Sequence, residues 1–202
     1  MKLYFKPAAC SMASHIVLSE IGGAFVVEQV NTNTRITASG ADFNAVNPNG
    51  KVPVLEVDGE ILTEGPAILQ FLGDRAADDR LTPVGGTLAR ARVNEVLNYV
   101  GTELHVAFRP LFNDASTDAE REASRVAVAG KFAWLEDRLS DGRSHMTGEN
   151  FTIADAYAFV VANWANFTGI ALERWPNLKA YVERVSARPS VQRVLRAEGL
   201  IN

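Results

Sequence analysis

The chain has 202 residues, of which 47% are hydrophobic and 22% charged, and its formal net charge is −4. This length fits one large domain or two small ones. The negative net charge gives no positive electrostatic potential that would favour nucleic acid or a membrane as partner. The one cysteine excludes an intrachain disulfide framework and a cysteine-rich zinc site, and no metal site is expected.

The N-terminal apolar stretch is too short for a secretory signal, and no apolar run approaches membrane-spanning length. We therefore expect a reducing, cytoplasmic location, where a lone cysteine stays a thiol.

The first third of the chain alternates strand and helix patterns. Breakers and apolar periodicity predict strands at 2–5, 25–30, 51–57 and 60–62, helices at 12–21 and from 65, and one or two helical turns at 41–46. Asp58-Gly59 predicts a hairpin between the last two strands. The predicted order is βαβαββα.

A charged and breaker-rich segment, residues 73–86, predicts a linker. Everything after it has helical periodicity, starting with one long helix from 87 to about 109. We therefore predict a domain at 1–80 and an all-helical domain at 86–202. Thr117 with Glu120, and Thr152 with Asp155, have the spacing of capping boxes, so Asp155 is interpreted as structural.

Cys10 lies where the first strand turns into the first helix. Unpaired N–H groups and the dipole at a helix N-terminus favour the thiolate, although the dipole alone supplies less than a reactive thiol needs. The alternative is a small, buried and inert cysteine.

Two further segments have both a structural and a functional interpretation. Val52-Pro53 suits an ordinary edge strand, or a ligand-facing segment whose Val52 backbone pairs with a peptide. Glu64-Gly65 precedes a helix: Glu64 either complements the dipole or captures an ammonium group, and Gly65 allows a carboxylate to approach the backbone.

Polar side chains also recur on the long helix, where Asn98, Thr102 and His105 have the spacing of one α-helical face. His105 could donate to a sulfur atom, or simply be a surface histidine. Arg35, in a polar loop, could hold a carboxylate or remain solvated.

Taken together, these residues resemble the glutathione transferases, most closely the bacterial beta class. The resemblance covers essentially the whole chain. It is carried by KPAACSMASHIVLSE around Cys10, VNPNGKVPVL over 46–55, TEGPAIL over 63–69, LNYVGTELH over 97–105 and FTIADAY over 151–157.

The resemblance implies a thioredoxin-like N-terminal domain, an all-helical C-terminal domain and a homodimer that binds glutathione as co-substrate without another cofactor. It implies a cis Pro53, and Cys10 and His105 as catalytic residues at the glutathione sulfur. The implied glutathione-binding residues are Cys10, Arg35, Val52, Glu64, Gly65, Asn98, Thr102, Glu103, Leu104 and His105. Tyr4 is interpreted as a strand residue without a catalytic role.

We therefore expect a detoxifying enzyme that conjugates glutathione to hydrophobic electrophiles in an apolar cleft. Candidate wall residues are Phe108, Phe112 and Trp164. Two alternatives use the same fold: a thiol-disulfide or peroxide reductase acting through a Cys10 mixed disulfide, and a non-catalytic binding protein for hydrophobic ligands.

Overall fold

A computed structural model describes residues 1–77 and 79–202; Asp78, within the predicted linker, lies outside the described residues. The strands are β1 Lys2–Phe5, β2 Val26–Asn31, β3 Ile36–Thr37, β4 Val54–Val57 and β5 Glu60–Leu62. The helices are α1 Met12–Ile21, α2 Gly65–Asp74, α3 Leu88–Tyr99, α4 His105–Ala107, α5 Asp118–Arg138, α6 Ile153–Asn163, α7 Ala165–Thr168, α8 Pro176–Ser186 and α9 Pro189–Ala197.

The chain forms two compact units, one of residues Met1–Thr82 with Ala187–Asn202 and one of residues Pro83–Ser186. The sequence division at 1–80 and 86–202 differs from these units in where it places the C-terminal segment. That segment packs into the first unit because α9 lies against α1, where Arg188 pairs with Glu20 at 3.0 Å.

The first unit is built on a five-stranded mixed sheet in the order β3-β2-β1-β4-β5. β1 runs parallel to β2 and antiparallel to β4, so that Leu3 pairs with both Val27 and Leu55. Alternation along β1 buries both of its faces, because Tyr4 packs on the Phe43 ring on the opposite side from Leu3. This sheet and its helices, followed by a helical unit, confirm the expected thioredoxin-like and all-helical fold class.

Two details of the predicted order are corrected. The helical turns expected at 41–46 shrink to a single 3₁₀ turn, Phe43–Ala45, in which the Asp42 carboxylate accepts the Asn44 N–H at 2.9 Å. An additional short strand, β3, pairs with the end of β2, because the Asn31 side chain accepts two N–H groups and reverses the chain.

The helical unit is organised around α6, whose residues from Ile153 to Ala162 are all buried. α6 packs against α3 and α8. Asp155 is fully buried, and its carboxylate accepts the Thr152 N–H at 2.8 Å and the Met146 N–H at 2.7 Å. This supports the structural interpretation of Asp155. No helix in the described part of the chain is long and apolar enough to cross a membrane.

The long helix predicted from 87 to 109 is interrupted. After α3 ends at Tyr99, residues Val100–Leu104 form a π-helical segment before α4 begins. The Thr102 hydroxyl donates to the Asn98 carbonyl at 2.9 Å, which gives that carbonyl a side-chain partner in the widened turn. The α-helical spacing assumed for Asn98, Thr102 and His105 therefore does not hold across this segment.

Candidate functional site

The loop between β1 and α1 holds Cys10 in a fixed position. Ser11 occupies the N-cap position of α1 and is fully buried, but its side chain does not cap the helix. Its hydroxyl instead accepts the Lys6 N–H at 3.1 Å and donates to the Lys6 carbonyl at 3.2 Å. The Ala13 N–H in turn donates to the Cys10 carbonyl at 3.1 Å. The loop is thus closed on itself, and the Ser11 hydroxyl is engaged within it.

The structure brings Cys10 next to Val52-Pro53, the segment for which the sequence left an edge-strand and a ligand-facing interpretation open. The Cys10 thiol donates to the Val52 carbonyl at 3.4 Å. The Val52–Pro53 peptide is cis, as the resemblance implied. A Cβ added at Gly65 would lie 3.7 Å from the Pro53 Cγ, so the start of α2 adjoins the same segment. The structure therefore places three predicted site residues close together in the first unit: Cys10, Val52 and Gly65.

Of the two interpretations of Cys10, the structure favours the buried thiol over the thiolate. Burial raises the pKa of the Cys10 thiol to about 11, and the backbone N–H of Ser11, which favours the thiolate, does not offset this loss of hydration. The negative charge of Glu64 raises this pKa further. The thiol is accordingly protonated at neutral pH and acts as a hydrogen-bond donor.

Glu64 has an unusual backbone conformation at the junction between β5 and α2. Its φ is 68° and its ψ 111°, in a region that residues with a side chain rarely adopt. Its carbonyl accepts the Ile68 N–H at 3.0 Å as the first bond of the helix, while its side chain is exposed and makes no cap. The Glu64 carboxylate is therefore available to a cation in solution.

Arg35 follows β2 in a left-handed conformation with φ 58°. Its guanidinium donates to the Asn44 side-chain oxygen at 2.7 Å. A Cβ built at Gly50 would lie only 2.8 Å from the Arg35 Nε, so the side chain lies directly over that glycine. These two contacts orient the Arg35 side chain. They are made to Asn44 and Gly50, and not to Cys10.

The remaining predicted site residues belong to the helical unit. Asn98 and Thr102 are exposed, and Glu103 forms an ion pair with Lys131 at 2.5 Å. Leu104 is fully buried in the core of this unit. Three of these four therefore present polar side chains at the surface of the π-helical segment or beside it.

His105 stands at the start of α4 within a cluster of aromatic rings. Its Nδ1 lies 2.8 Å from the hydroxyl of Tyr157, which comes from α6 and is buried. The His105 ring also packs edge-on against Trp164, with centroids 4.8 Å apart. Trp164 contacts Phe108 at 5.6 Å and Phe112 at 5.2 Å, which brings together the three predicted wall residues.

Two residues near these groups were not predicted from the sequence. Tyr157 closes the FTIADAY motif, but only the fold shows that its hydroxyl contacts His105. Glu198 is buried after α9, and its carboxylate accepts the Ala8 N–H at 3.0 Å and contacts the His15 Nδ1 at 3.0 Å. No local pattern could have revealed Glu198, since 190 positions separate it from Ala8.

Two other expectations concern groups away from the thiol. Tyr4 is buried on β1, and its hydroxyl donates to the Glu56 carboxylate at 3.2 Å, which fits its interpretation as a strand residue. Within residues 1–77 and 79–202, no three His, Cys, Asp or Glu side chains cluster as metal ligands.

Comparisons with known proteins match both halves of the chain to one family. The glutathione S-transferase N-terminal domain matches residues 9–75, and the glutathione S-transferase C-terminal domain matches residues 99–189. Glutathione S-transferase GstA from Escherichia coli O157:H7 is 41% identical over 201 residues, covering 99% of this chain and 100% of the relative.

Solved structures give the same result. The bacterial beta-class glutathione S-transferase of Sphingomonas chungbukensis is 45% identical with a TM-score of 0.95, and the match covers all of both chains. A sphingomonad glutathione S-transferase complexed with glutathione is 42% identical with a TM-score of 0.95, again over all of both chains.

The chain therefore belongs to the glutathione S-transferase family, which confirms the resemblance seen in its sequence. Its enzyme class is glutathione transferase, and its similarity is to the bacterial beta class.

Proposed function

We propose that this enzyme conjugates the thiol of glutathione to small hydrophobic electrophiles, with Cys10 beside the glutathione sulfur. The observation that carries this proposal is the 3.4 Å contact between the Cys10 thiol and the Val52 carbonyl. A peptide that pairs with the Val52 backbone would place its own cysteine next to Cys10.

The tripeptide has charged groups at both ends, and the first unit offers a partner for each. The exposed Glu64 carboxylate suits the ammonium group of the γ-glutamyl end, while the N–H groups at the start of α2, beginning at Gly65, suit its carboxylate. Arg35 suits the carboxylate at the glycine end, because its guanidinium is held in direction by Asn44. The glutathione complex of the sphingomonad relative supports this co-substrate, and we propose no other cofactor.

The chemistry assigned to Cys10 follows from its protonated state. With a pKa of about 11 the thiol can donate its proton in a hydrogen bond to an anionic glutathione sulfur, which stabilises that anion. The same pKa leaves little thiolate to attack a disulfide, so it favours conjugation over the alternative mixed-disulfide reductase.

His105 is assigned as the second donor to the sulfur, and Asn98, Thr102 and the main chain of the π-helical segment as further contacts. The electrophile is assigned to the aromatic cluster, where Phe112 is half exposed while Phe108 and Trp164 are buried behind it. A homodimer in the cytoplasm remains part of this proposal.

In the proposed reaction, the glutathione thiol loses its proton to solvent and becomes a thiolate held by the donors named above. The sulfur lone pair then forms a bond to the electrophilic carbon. The leaving group departs with the electron pair of the bond that breaks, so no oxidant or reductant is consumed.

A conjugation assay with 1-chloro-2,4-dinitrobenzene, together with calorimetric titration of glutathione, tests the proposal. We expect saturable glutathione binding, turnover, and a drop in kcat/KM of about tenfold for Cys10→Ala because one donor to the anion is lost. Glu64→Gln should raise KM for glutathione about tenfold, whereas Glu60→Gln on β5 serves as the matched control and should not. Absence of glutathione uptake, or of turnover across several electrophiles, would refute the proposal.

A further inference from the structure

A surface groove in the helical unit is lined by none of the residues assigned to glutathione or to the electrophile. It lies between α5 and the segment from Gly169 to Trp175 that leads into α8, and its volume is about 380 Å³. Sites for small molecules in proteins begin at about 300 Å³, so the groove has room for a compact ligand.

The groove walls are mainly apolar. Val126 and Ala129 come from successive turns of one face of α5, and Ile170 and Trp175 come from the opposite side. Val126 is 66% exposed, whereas the other large aliphatic side chains of α5, Val128 and Leu135, are buried. An apolar ligand would remove this surface from water, which stabilises the complex.

Charged side chains at the groove favour an anion. Arg125 pairs with Glu122 at 3.3 Å, which balances one positive charge. Arg174 lies over the Trp175 ring, 5.2 Å from its centroid, and pairs with no carboxylate in the described part of the chain. The lining therefore has one guanidinium in excess, in a protein whose net charge is −4.

From these observations we infer that the groove binds a small aryl carboxylate, with its ring against Val126 and Trp175 and its carboxylate on Arg174. A guanidinium recognises a carboxylate with two parallel hydrogen bonds, and its planar face can remain on the indole ring while it does so. The volume fits an aromatic acid of roughly 10 to 15 non-hydrogen atoms. This site is independent of the proposed conjugation, and occupying it leaves the binding of glutathione unchanged.

Titration of the full-length protein with 1-naphthoate, followed by calorimetry and by tryptophan fluorescence, tests this inference. We expect saturable binding that glutathione does not displace. Arg174→Gln should weaken it about tenfold because the charged hydrogen bonds are lost. Arg92→Gln is the matched control, since Arg92 is an exposed arginine on α3 that pairs with Glu95, and it should leave the affinity unchanged.

Two further binding measurements test the inference even if Arg174→Gln misfolds. In the wild-type protein, the neutral 1-naphthamide should bind about tenfold more weakly than 1-naphthoate, because it lacks the charge that Arg174 recognises. Ala129→Leu should fill the groove and abolish binding. Equal affinity for the amide, no saturable binding at millimolar 1-naphthoate, or displacement of 1-naphthoate by glutathione would overturn the inference.

Discussion

Replacing Asp155 by alanine should destabilise the helical unit strongly, because the buried Asp155 carboxylate accepts four hydrogen bonds. These come from the Met146 N–H at 2.7 Å, the Thr152 N–H at 2.8 Å, the Thr152 hydroxyl at 2.9 Å and the Tyr181 hydroxyl at 3.1 Å. Asp155 is fully buried, so water cannot easily replace the lost acceptor.

The size of the effect follows from these partners. A buried donor left without its acceptor costs about 1–3 kcal/mol, and at least two backbone N–H groups lose theirs in Asp155→Ala. We therefore expect a loss of about 3–5 kcal/mol in the free energy of unfolding. For a chain of this size that corresponds to a fall of roughly 10 °C in Tm.

The chain contains its own control for this experiment. Glu120 occupies the same capping-box position at the start of α5, where its carboxylate accepts the Thr117 N–H at 2.7 Å, but it is exposed. Glu120→Ala should cost only about 0.5–1 kcal/mol, because water solvates the freed N–H. Thermal and guanidinium unfolding followed by circular dichroism measures both variants. If Asp155→Ala lost no more stability than Glu120→Ala, the assignment of the cost to burial would be refuted.

Four further predictions concern the groups around the candidate site. With a pKa of about 11, Cys10 should react with iodoacetamide about 300-fold more slowly at pH 7 than a free cysteine, and faster as pH rises towards 11; a rate equal to that of a free thiol would contradict the raised pKa. The raised pKa also means that the folded state binds the Cys10 proton more tightly than the unfolded state does. Its contribution to stability is therefore present below about pH 8.5 and is lost as pH rises towards 11, which unfolding measured across pH checks. Tyr157→Phe should change the ¹⁵N shifts of the His105 imidazole, because the hydroxyl at 2.8 Å is removed; unchanged shifts would show that the contact does not set the tautomer. Glu198→Ala should cost about 2 kcal/mol of stability in guanidinium unfolding, since the Ala8 N–H and the His15 Nδ1 both lose their buried carboxylate partner; wild-type stability would contradict this.

Local patterns were sufficient for most of the elements. The strand at 2–5, the helix at 12–21 and the capping boxes of α5 and α6 follow from breakers and from short-range side-chain chemistry. β3 has only two residues and so shows no periodicity. The π-helical segment Val100–Leu104 continues the apolar pattern of the long helix, so periodicity gives no sign of it, and the bond from the Thr102 hydroxyl to the Asn98 carbonyl also occurs in ordinary α-helices.

The candidate site shows the same division between local and non-local information. The sequence predicted that Cys10 lies at the start of the first helix, and it offered a ligand-facing Val52 as one of two interpretations, since both depend on neighbouring breakers. It left open whether Cys10 is a thiolate or a buried thiol, because both the burial that raises its pKa and the nearby charge of Glu64 depend on the fold. The partnership of His105 with Tyr157 spans 52 positions and likewise needs the fold.

The contribution of the C-terminal segment to the first unit has a consequence for synthesis on the ribosome. The buried Glu198 carboxylate reaches the Ala8 N–H, in the loop that presents Cys10, and α9 covers α1. A nascent chain that has emerged only as far as residue 82 lacks both contacts. Its sheet and first two helices therefore keep the surface of α1 exposed to solvent until the helical unit and α9 have been translated. We expect this half of the molecule to acquire its full protection from proteases only after residue 198 has left the exit tunnel.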